Sequence, residues 1–357
     1  MDRMQLEEQV STLLAEYGQM VEAAIEEIIP KDFREENLVE LGGRPKYEYE
    51  PVSVDKSVSK PFWDLMSRGG KRWRPALALL TYESLGGNPR DILHYAAIPE
   101  IIHNGTLIVD DVEDDSLMRR NRPCIHRTYG VDVAINAGNT LYYLPVVAIL
   151  GRGDKEKNQR ILETYIRQMF HLSLGQAMDI AWHRGLVENV TEEHYLQMCA
   201  FKTGSISRLA VEIACILAET SQEMVQVLGD FGESIGVAFQ IQDDLLNLLG
   251  DEAAYGKEWG GDVAEGKRSL MVVHALRHLP TPERDRLKSI LSIHRYDRPL
   301  IEEAVDLIKR SGSVEYAVKV ARDIVQRSWS RIDEVLPPSE AKKKMRALAE
   351  FLIERSH

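Results

Sequence analysis

Cysteine is scarce in this chain. The three present, Cys124, Cys199 and Cys215, are scattered without a CxxC spacing. That excludes a disulfide framework, argues against a cysteine-held zinc site, and suits a reducing, cytoplasmic setting. No run of about 18 apolar residues occurs, so no transmembrane segment is expected. The opening MDRMQLEEQVSTLLAEYGQM is acidic and amphipathic and lacks the unbroken apolar stretch of a secretory signal. Basic charge is in deficit: 44 Lys and Arg stand against 56 Asp and Glu, a formal net charge of −12. No nucleic-acid partner is expected from that balance. Internal repeats and low-complexity segments are missing too. Proline is absent over a long interval, because all 14 lie at or before Pro145 or at or after Pro280.

An interval that long without a helix breaker, rich in Leu, Ala, Glu, Gln and Met, reads as a series of helices. In 159–181, Ile161, Leu162, Tyr165, Ile166, Met169 and Phe170 recur at helical spacing, and in 223–249 Met224, Leu228, Phe231, Ile235, Ala238, Ile241 and Leu245 do the same. Alternation of the strand type is nearly absent. The fold class expected is all-α. Residues 1–50 read as an N-terminal helix followed by an irregular connection, and 51–357 as one helical domain. Loops are expected at 150–157, 183–192, 250–262 and 280–298.

Two acidic clusters stand out, each after an apolar helical stretch. In the first, Asp110 and Asp114 are four apart and share a helix face, with Asp111 about 100° round. At about 6 Å and an effective dielectric near 20, each carboxylate pair repels by roughly 3 kcal/mol. A cation between them removes that cost, and oxygen-only ligands suit Mg²⁺, which keeps waters and shares itself with phosphates. The competing reading is a solvated acidic helix end. The second cluster, Gln240-Ile241-Gln242-Asp243-Asp244-Leu245-Leu246-Asn247, repeats the spacing with an amide, Asn247, at the last position. Two copies are harder to ascribe to a solvated face than one.

Basic groups accompany them. Gly69-Gly70-Lys71-Arg72-Trp73-Arg74 places three cations behind two glycines, suited to close approach of a diphosphate. It is not a P-loop, since Arg72 follows Lys71. Arg119-Arg120, Lys202-Thr203, Lys257 and Lys267 complete the set. Any one of them reads as a surface cation. Together with the acidic clusters they point to phosphorylated substrates bridged to protein through Mg²⁺.

The order Gly-Gly-Lys-Arg-x-Arg-Pro at 69–75, His103 ahead of Asp110-Asp111-x2-Asp114 and Arg119-Arg120, Lys202-Thr203, Phe239-Gln240-x2-Asp243-Asp244, then Gly261-Asp262-x2-Glu265-Gly266-Lys267 closely resembles the trans-isoprenyl (polyprenyl) diphosphate synthases over about residues 60–280. HNGTLIVDDVEDDSLMRR and GQAMDIAW look most like the geranylgeranyl diphosphate branch. The resemblance implies an orthogonal helical bundle around a deep central cavity, a homodimer, and head-to-tail condensation of isopentenyl diphosphate with an allylic diphosphate. It implies three Mg²⁺ ions with bound diphosphate, held by Asp110, Asp111, Asp114, Asp243, Asp244 and, through its amide or a water, Asn247. Arg119, Lys202, Thr203, Gln240, Lys257 and Lys267 match the family's allylic-diphosphate contacts. Lys71, Arg74, His103, Arg120 and the Gly70 backbone match the isopentenyl site. The departing diphosphate is the implied proton acceptor, with Lys202, Thr203 and Gln240 presenting dipoles toward the cation. Three positions depart from the family pattern: Asn247 for the last Asp, Asn121 where Gly is common after Arg-Arg, and Asn139 where Asp is frequent.

Product length is read from the residues four and five before Asp110, Thr106 and Gly105. Both are small, so neither is expected to close a cavity one turn, about 5.4 Å, below the acidic cluster. Tyr142 and Tyr143 match aromatics that form a deeper floor in the geranylgeranyl branch; otherwise they are core or interface residues. A C20 product is expected, ahead of C25 or longer, or farnesyl. Two other readings stay open. A class I terpene cyclase would not need the Lys71, Arg74, His103 and Arg120 set. A non-catalytic regulatory subunit of a heteromeric synthase would usually have lost one acidic cluster.

Overall fold

The computed structural model describes residues 3–250 and 259–353. Helices make up almost all of its regular structure. Among the described residues the only paired strands are β1 (Met118–Arg119) and β2 (Arg122–Pro123), an antiparallel hairpin. The all-α expectation holds. The chain divides into two compact units. One comprises Met1–Ile166, Leu209–Leu228 and Leu336–Leu348, the other Arg167–Arg208, Gly229–Val335 and Ala349–His357.

In the first unit, α1 (Arg3–Ile28) buries Leu6, Val10, Leu13, Leu14, Tyr17, Val21, Ala24, Ile25 and Ile28, a stripe at helical spacing. The connection expected to be irregular is partly helical. It carries α2 (Glu35–Gly42), and from Pro51 to Ser67 the chain is helical with one wide turn, Asp55–Ser59. Pro51 and Pro61 sit at first-turn positions that a helix tolerates. Ten residues of α3 (Trp73–Ser84) are buried, so it is a core helix, and α1 and α4 (Leu93–Glu113) pack on it. Against α4 lies α5 (Val131–Leu150). Among the described residues α5 alone is long and apolar enough to cross a membrane, with a mean hydropathy of 1.5. Its Ala134, Ala137, Gly138, Leu141 and Leu144 are buried.

In the second unit, α6 (Lys155–His183) enters from the first. It is followed by α7 (Glu192–Cys199), a wide turn at Ala200–Gly204, and the start of the Ser205–Leu217 helix, whose residues from Leu209 onward belong to the first unit. Thr191 caps α7: its hydroxyl accepts from the His194 N–H at 3.2 Å and its own N–H donates to His194 Nδ1 at 3.3 Å. The wide turn is pressed onto α8 (Gln222–Leu249). A Cβ on Gly236 would lie 2.6 Å from the Gly204 Cα, so neither position admits a side chain. The loop expected at 280–298 is largely α9 (Thr281–Leu291), with Pro282 again in a first turn.

Candidate active site

The first acidic cluster ends α4. Asp111 is 1% exposed, and Arg119 Nε donates to its two oxygens at 2.9 and 3.1 Å. Arg119 Nη2 also bonds Asp111, and it lies 3.6 Å from Asp110. Burial works against the Arg119 charge, but Asp111 and Asp110 outweigh it and hold the guanidinium firmly protonated. The β1–β2 hairpin folds Arg119 back onto α4. Its two turn residues, Arg120 and Asn121, have φ of 52° and 59°. Asn tolerates that left-handed geometry better than most residues, so Asn121 does the work of the family's glycine. Asp110 and Asp114 hold the expected i, i+4 relation, with the Asp114 N–H on the Asp110 carbonyl at 2.9 Å.

The glycine-led basic segment lies in the same unit. Gly69, Gly70 and Arg72 all have positive φ. The turn they form carries Lys71 and leads into α3, where the Arg74 guanidinium stacks on the Trp73 ring at 4.4 Å. On α4, the His103 imidazole is pushed well below its usual range by burial, then by Arg74, Arg120, Arg119 and Arg72. It is therefore neutral, with arginines around it. Arg120 Nη1 donates to the Leu65 carbonyl at 2.9 Å, and burial pushes its pKa down to about 10.

The chain-length residues separate. Gly105 does not look onto open space. A Cβ there would lie 2.9 Å from Leu141 Cβ and 3.2 Å from both the Gly138 carbonyl and the Tyr142 ring. Its smallness admits the close α4–α5 crossing. Thr106 donates its hydroxyl to the His103 carbonyl at 2.8 Å. Tyr142 turns inward beside Gly105, and its phenol is pushed up by burial, Glu113 and Asp110. Tyr143 is 71% exposed, so within one chain it forms no floor. Asn139 is an exposed residue in the middle of α5.

In the second unit a chain of hydrogen bonds joins three of the sequence-picked residues, Thr203, Gln240 and Asp244. Wide turns of this kind place side chains at angles an α-helix cannot reach, and Ala200–Gly204 carries both Lys202 and Thr203. Thr203 Oγ1 donates to Gln240 Oε1 at 2.7 Å, and Gln240 Nε2 donates to Asp244 Oδ1 at 2.9 Å. Lys202 Nζ donates to Asp179 Oδ2 at 2.6 Å. Desolvation, then Asp262, push the Asp244 carboxyl up to about 7, against the opposing effect of Tyr195, Gln240 and Lys267. Asp243, beside Asp244 near the end of α8, is half-buried. Lys267 pairs with Glu265 at 2.7 Å and lies 3.6 Å from Asp262. Lys257 lies outside the described residues.

Asn247 is 2% exposed and its side-chain oxygen accepts from the Asp262 N–H at 3.1 Å. Its own carbonyl accepts from the Gly260 N–H at 3.0 Å. Both contacts tie Asn247 to the 260–262 segment. Two residues that sequence reasoning missed belong to this half. Tyr195 donates its hydroxyl to Asp244 Oδ2 at 2.7 Å, and Asp179 is the partner of Lys202. Only Asp179 left a trace, an acid within the apolar face of α6.

Among the described residues no three His, Cys, Asp or Glu side chains converge as a ready-made metal cage. The donors are carboxylate oxygens in small groups. That fits a hard ion which takes most of its ligands from water and substrate phosphate.

Comparison with known proteins assigns the chain. The family model described as polyprenyl synthetase matches residues 55–308. The short chain isoprenyl diphosphate synthase of Methanothermobacter thermautotrophicus is 39% identical over 293 residues, covering 82% of this chain and 89% of that one. The geranylfarnesyl diphosphate synthase of Natronomonas pharaonis is 34% identical, covering 87% and 93%. Among solved structures, the geranylgeranyl pyrophosphate synthetase of Pyrococcus horikoshii matches with a TM-score of 0.84 and 30% identity, over 98% of this chain and 99% of that one. With its arginine-ringed His103 and its two acidic clusters in the order the sequence foretold, this chain belongs to the polyprenyl synthetase family and is a trans-prenyltransferase.

Proposed function

We propose that the chain joins isopentenyl diphosphate head-to-tail to an allylic diphosphate in a Mg²⁺-dependent reaction, with the C20 geranylgeranyl diphosphate as main product. The observation that carries the reading is in the first unit. It carries two chemically different groups, each suited on this reading to a diphosphate: the carboxylates Asp110, Asp111 and Asp114, and His103, kept neutral by burial and nearby arginines, with the Gly70–Lys71 turn. A cyclase needs only the first. An enzyme that joins two diphosphates needs both.

Asp110, Asp111, Asp114, Asp243 and Asp244 would be the oxygen donors for magnesium, which when bound would supply positive charge to the leaving diphosphate. The allylic C–O bond breaks and its electron pair stays on the diphosphate. The isopentenyl alkene closes the new C–C bond, and the proton that is then lost passes to the freed diphosphate. Arg119, Lys202, Lys257 and Lys267 supply fixed positive charge where negative charge grows, the arrangement that lowers such barriers most. The Thr203–Gln240 pair offers its dipoles to the cation. Lys71, Arg74, His103 and Arg120 bind the isopentenyl diphosphate. The apolar stretch of α4 beyond Thr106 shelters the growing tail from water.

A second copy of the chain is the proposed partner. The face of α5 that carries Val131, Ile135, Tyr143, Val147 and Leu150 is exposed and apolar, which a homodimer would cover. Three buried free cysteines support a reducing, cytoplasmic setting.

The deciding assay is purified chain with Mg²⁺, labelled isopentenyl diphosphate and each allylic primer from C5 to C15, with products sized by chromatography. Mainly C20 is expected. Absence of label in the product would overturn the synthase reading, and mainly C15 the length. Because Tyr142 alone of the two tyrosines turns inward, Tyr142→Ala shifts the main product to C25 or longer, while Tyr143→Ala leaves it at C20. The same chromatography checks this, and equal effects of the two changes would contradict it.

A further inference from the structure

Glu100 is 2% exposed, one turn ahead of His103 on α4, and nothing in the motif pattern marks it. Its Oε1 lies 3.3 Å from Arg72 Nη1 and accepts from Asn104 Nδ2 at 3.1 Å. Asn104, fully buried, also donates to the Glu100 carbonyl at 2.8 Å. Its side-chain oxygen faces Arg120 Nη1 at 3.5 Å. Both guanidiniums lie directly beneath the glycine turn: a Cβ on Gly70 would stand 2.2 Å from Arg72 Nη1 and 3.1 Å from Arg120 Nη2. The carboxylate thus sits under the turn, with one arginine on it and a second reached through an amide.

We propose that Glu100 and Asn104 are positioning residues for the isopentenyl diphosphate, holding Arg120 and Arg72 beneath the Gly69–Gly70 turn before the substrate arrives. The inference rests on the reading that Arg120 contacts that diphosphate. Several arginines brought around one neutral imidazole repel each other until an anion enters. A buried carboxylate underneath offsets that repulsion and fixes the direction of the forks. Buried ion pairs are poor stabilisers compared with apolar packing, so burying one here serves geometry more than stability. Arg120 is the substrate-facing member. Arg72 is turned inward, with Nη2 on the Met66 carbonyl at 2.9 Å and Nη1 on the Gly69 carbonyl at 3.1 Å. Through Arg72 the carboxylate therefore braces the turn whose backbone would meet the phosphate.

The test is steady-state kinetics on the full chain, with both substrates varied. Glu100→Gln keeps the shape and the amide contacts but removes the charge. It should raise KM for isopentenyl diphosphate about tenfold, the scale of one charged hydrogen bond, and leave KM for the allylic substrate within about twofold. Asn104→Ala should shift the same KM in the same direction by less, and it decides the matter if Glu100→Gln yields no folded protein. Arg120→Ala separates the two levels of inference. If it raises the isopentenyl KM and the Glu100 and Asn104 changes do not, the positioning role is wrong and the site reading stands. If Arg120→Ala leaves that KM unchanged, both are wrong. A merely structural Glu100 would lower thermal stability with equal effect on both KM values, and that outcome also overturns the proposal.

Discussion

Asp111→Ala lowers both stability and turnover, whereas Asp110→Ala lowers turnover alone. The two acids are neighbours in sequence and look equivalent there, but the helix turns them to different surroundings. Asp111 is sealed in and takes three hydrogen bonds from Arg119, which is itself buried. Removing its carboxylate strands a guanidinium away from water, a loss of about 3–5 kcal/mol. Asp110 is half-buried and 3.6 Å from the same arginine, so its removal leaves Arg119 still paired with Asp111. Turnover falls in both variants, because each removes an oxygen donor proposed to hold the charge carrier for the leaving group. A loss of at least about 10²–10³ is the usual scale for deleting one such electrostatic element. Thermal unfolding and kcat measured on the same preparations check this. Equal melting temperatures for the two variants would show that the Asp111–Arg119 contact carries no structural weight.

That difference also marks where the sequence stops being legible. The helices could be read because periodicity and the proline-free interval are local properties. So could the acidic and basic motifs, since charges at helical spacing beside apolar stretches are conspicuous in one dimension. Glu100, Asn104, Tyr195 and Asp179 could not. Each is an ordinary polar residue in a helix until the fold brings Arg72, Arg120, Asp244 or Lys202 to it, and those partners are 16 to 49 positions away in the chain. What Gly105 packs against was hidden for the same reason. A small residue can border a void or admit a neighbouring helix, and only the Leu141 and Tyr142 side chains across α5 distinguish the two. The Asn247 contact with the Asp262 N–H, 15 positions further on, was likewise invisible in the sequence. The helices beginning at Pro51 and at Thr281 fell within segments expected to be irregular, because a proline stops a helix from within but is tolerated in its first turn.

Binding of magnesium and diphosphate should tighten steeply as pH rises through about 7, because the Asp244 carboxyl is pushed to that value by desolvation and then by Asp262. Ligation needs the charged form, so below the pKa each bound ion displaces one proton from this group. Affinity from this carboxyl alone then falls about tenfold per pH unit, on the order of 100-fold between pH 7 and pH 5. The ligand-free protein follows the opposite sign. A carboxyl whose folded pKa lies above its ordinary value of 3.8 contributes stability that is fully present below that value and lost as pH rises through about 7. Thermal stability without ligand should therefore decline across that window, while with magnesium and inorganic diphosphate it should rise. Tyr195→Phe sharpens the test. The Tyr195 hydroxyl donates to Asp244 Oδ2 and favours the charged form, so its removal moves the binding midpoint to higher pH while keeping the ring that fills the core. Calorimetric titration of magnesium with inorganic diphosphate at several pH values reads the affinity, and repeating it in buffers of different ionisation enthalpy counts the protons released. A flat affinity from pH 5 to 8, or a midpoint unmoved by Tyr195→Phe, would mean that Asp244 is already charged in the free enzyme and that the Tyr195–Gln240 cradle does not govern how the second acidic cluster accepts its ion.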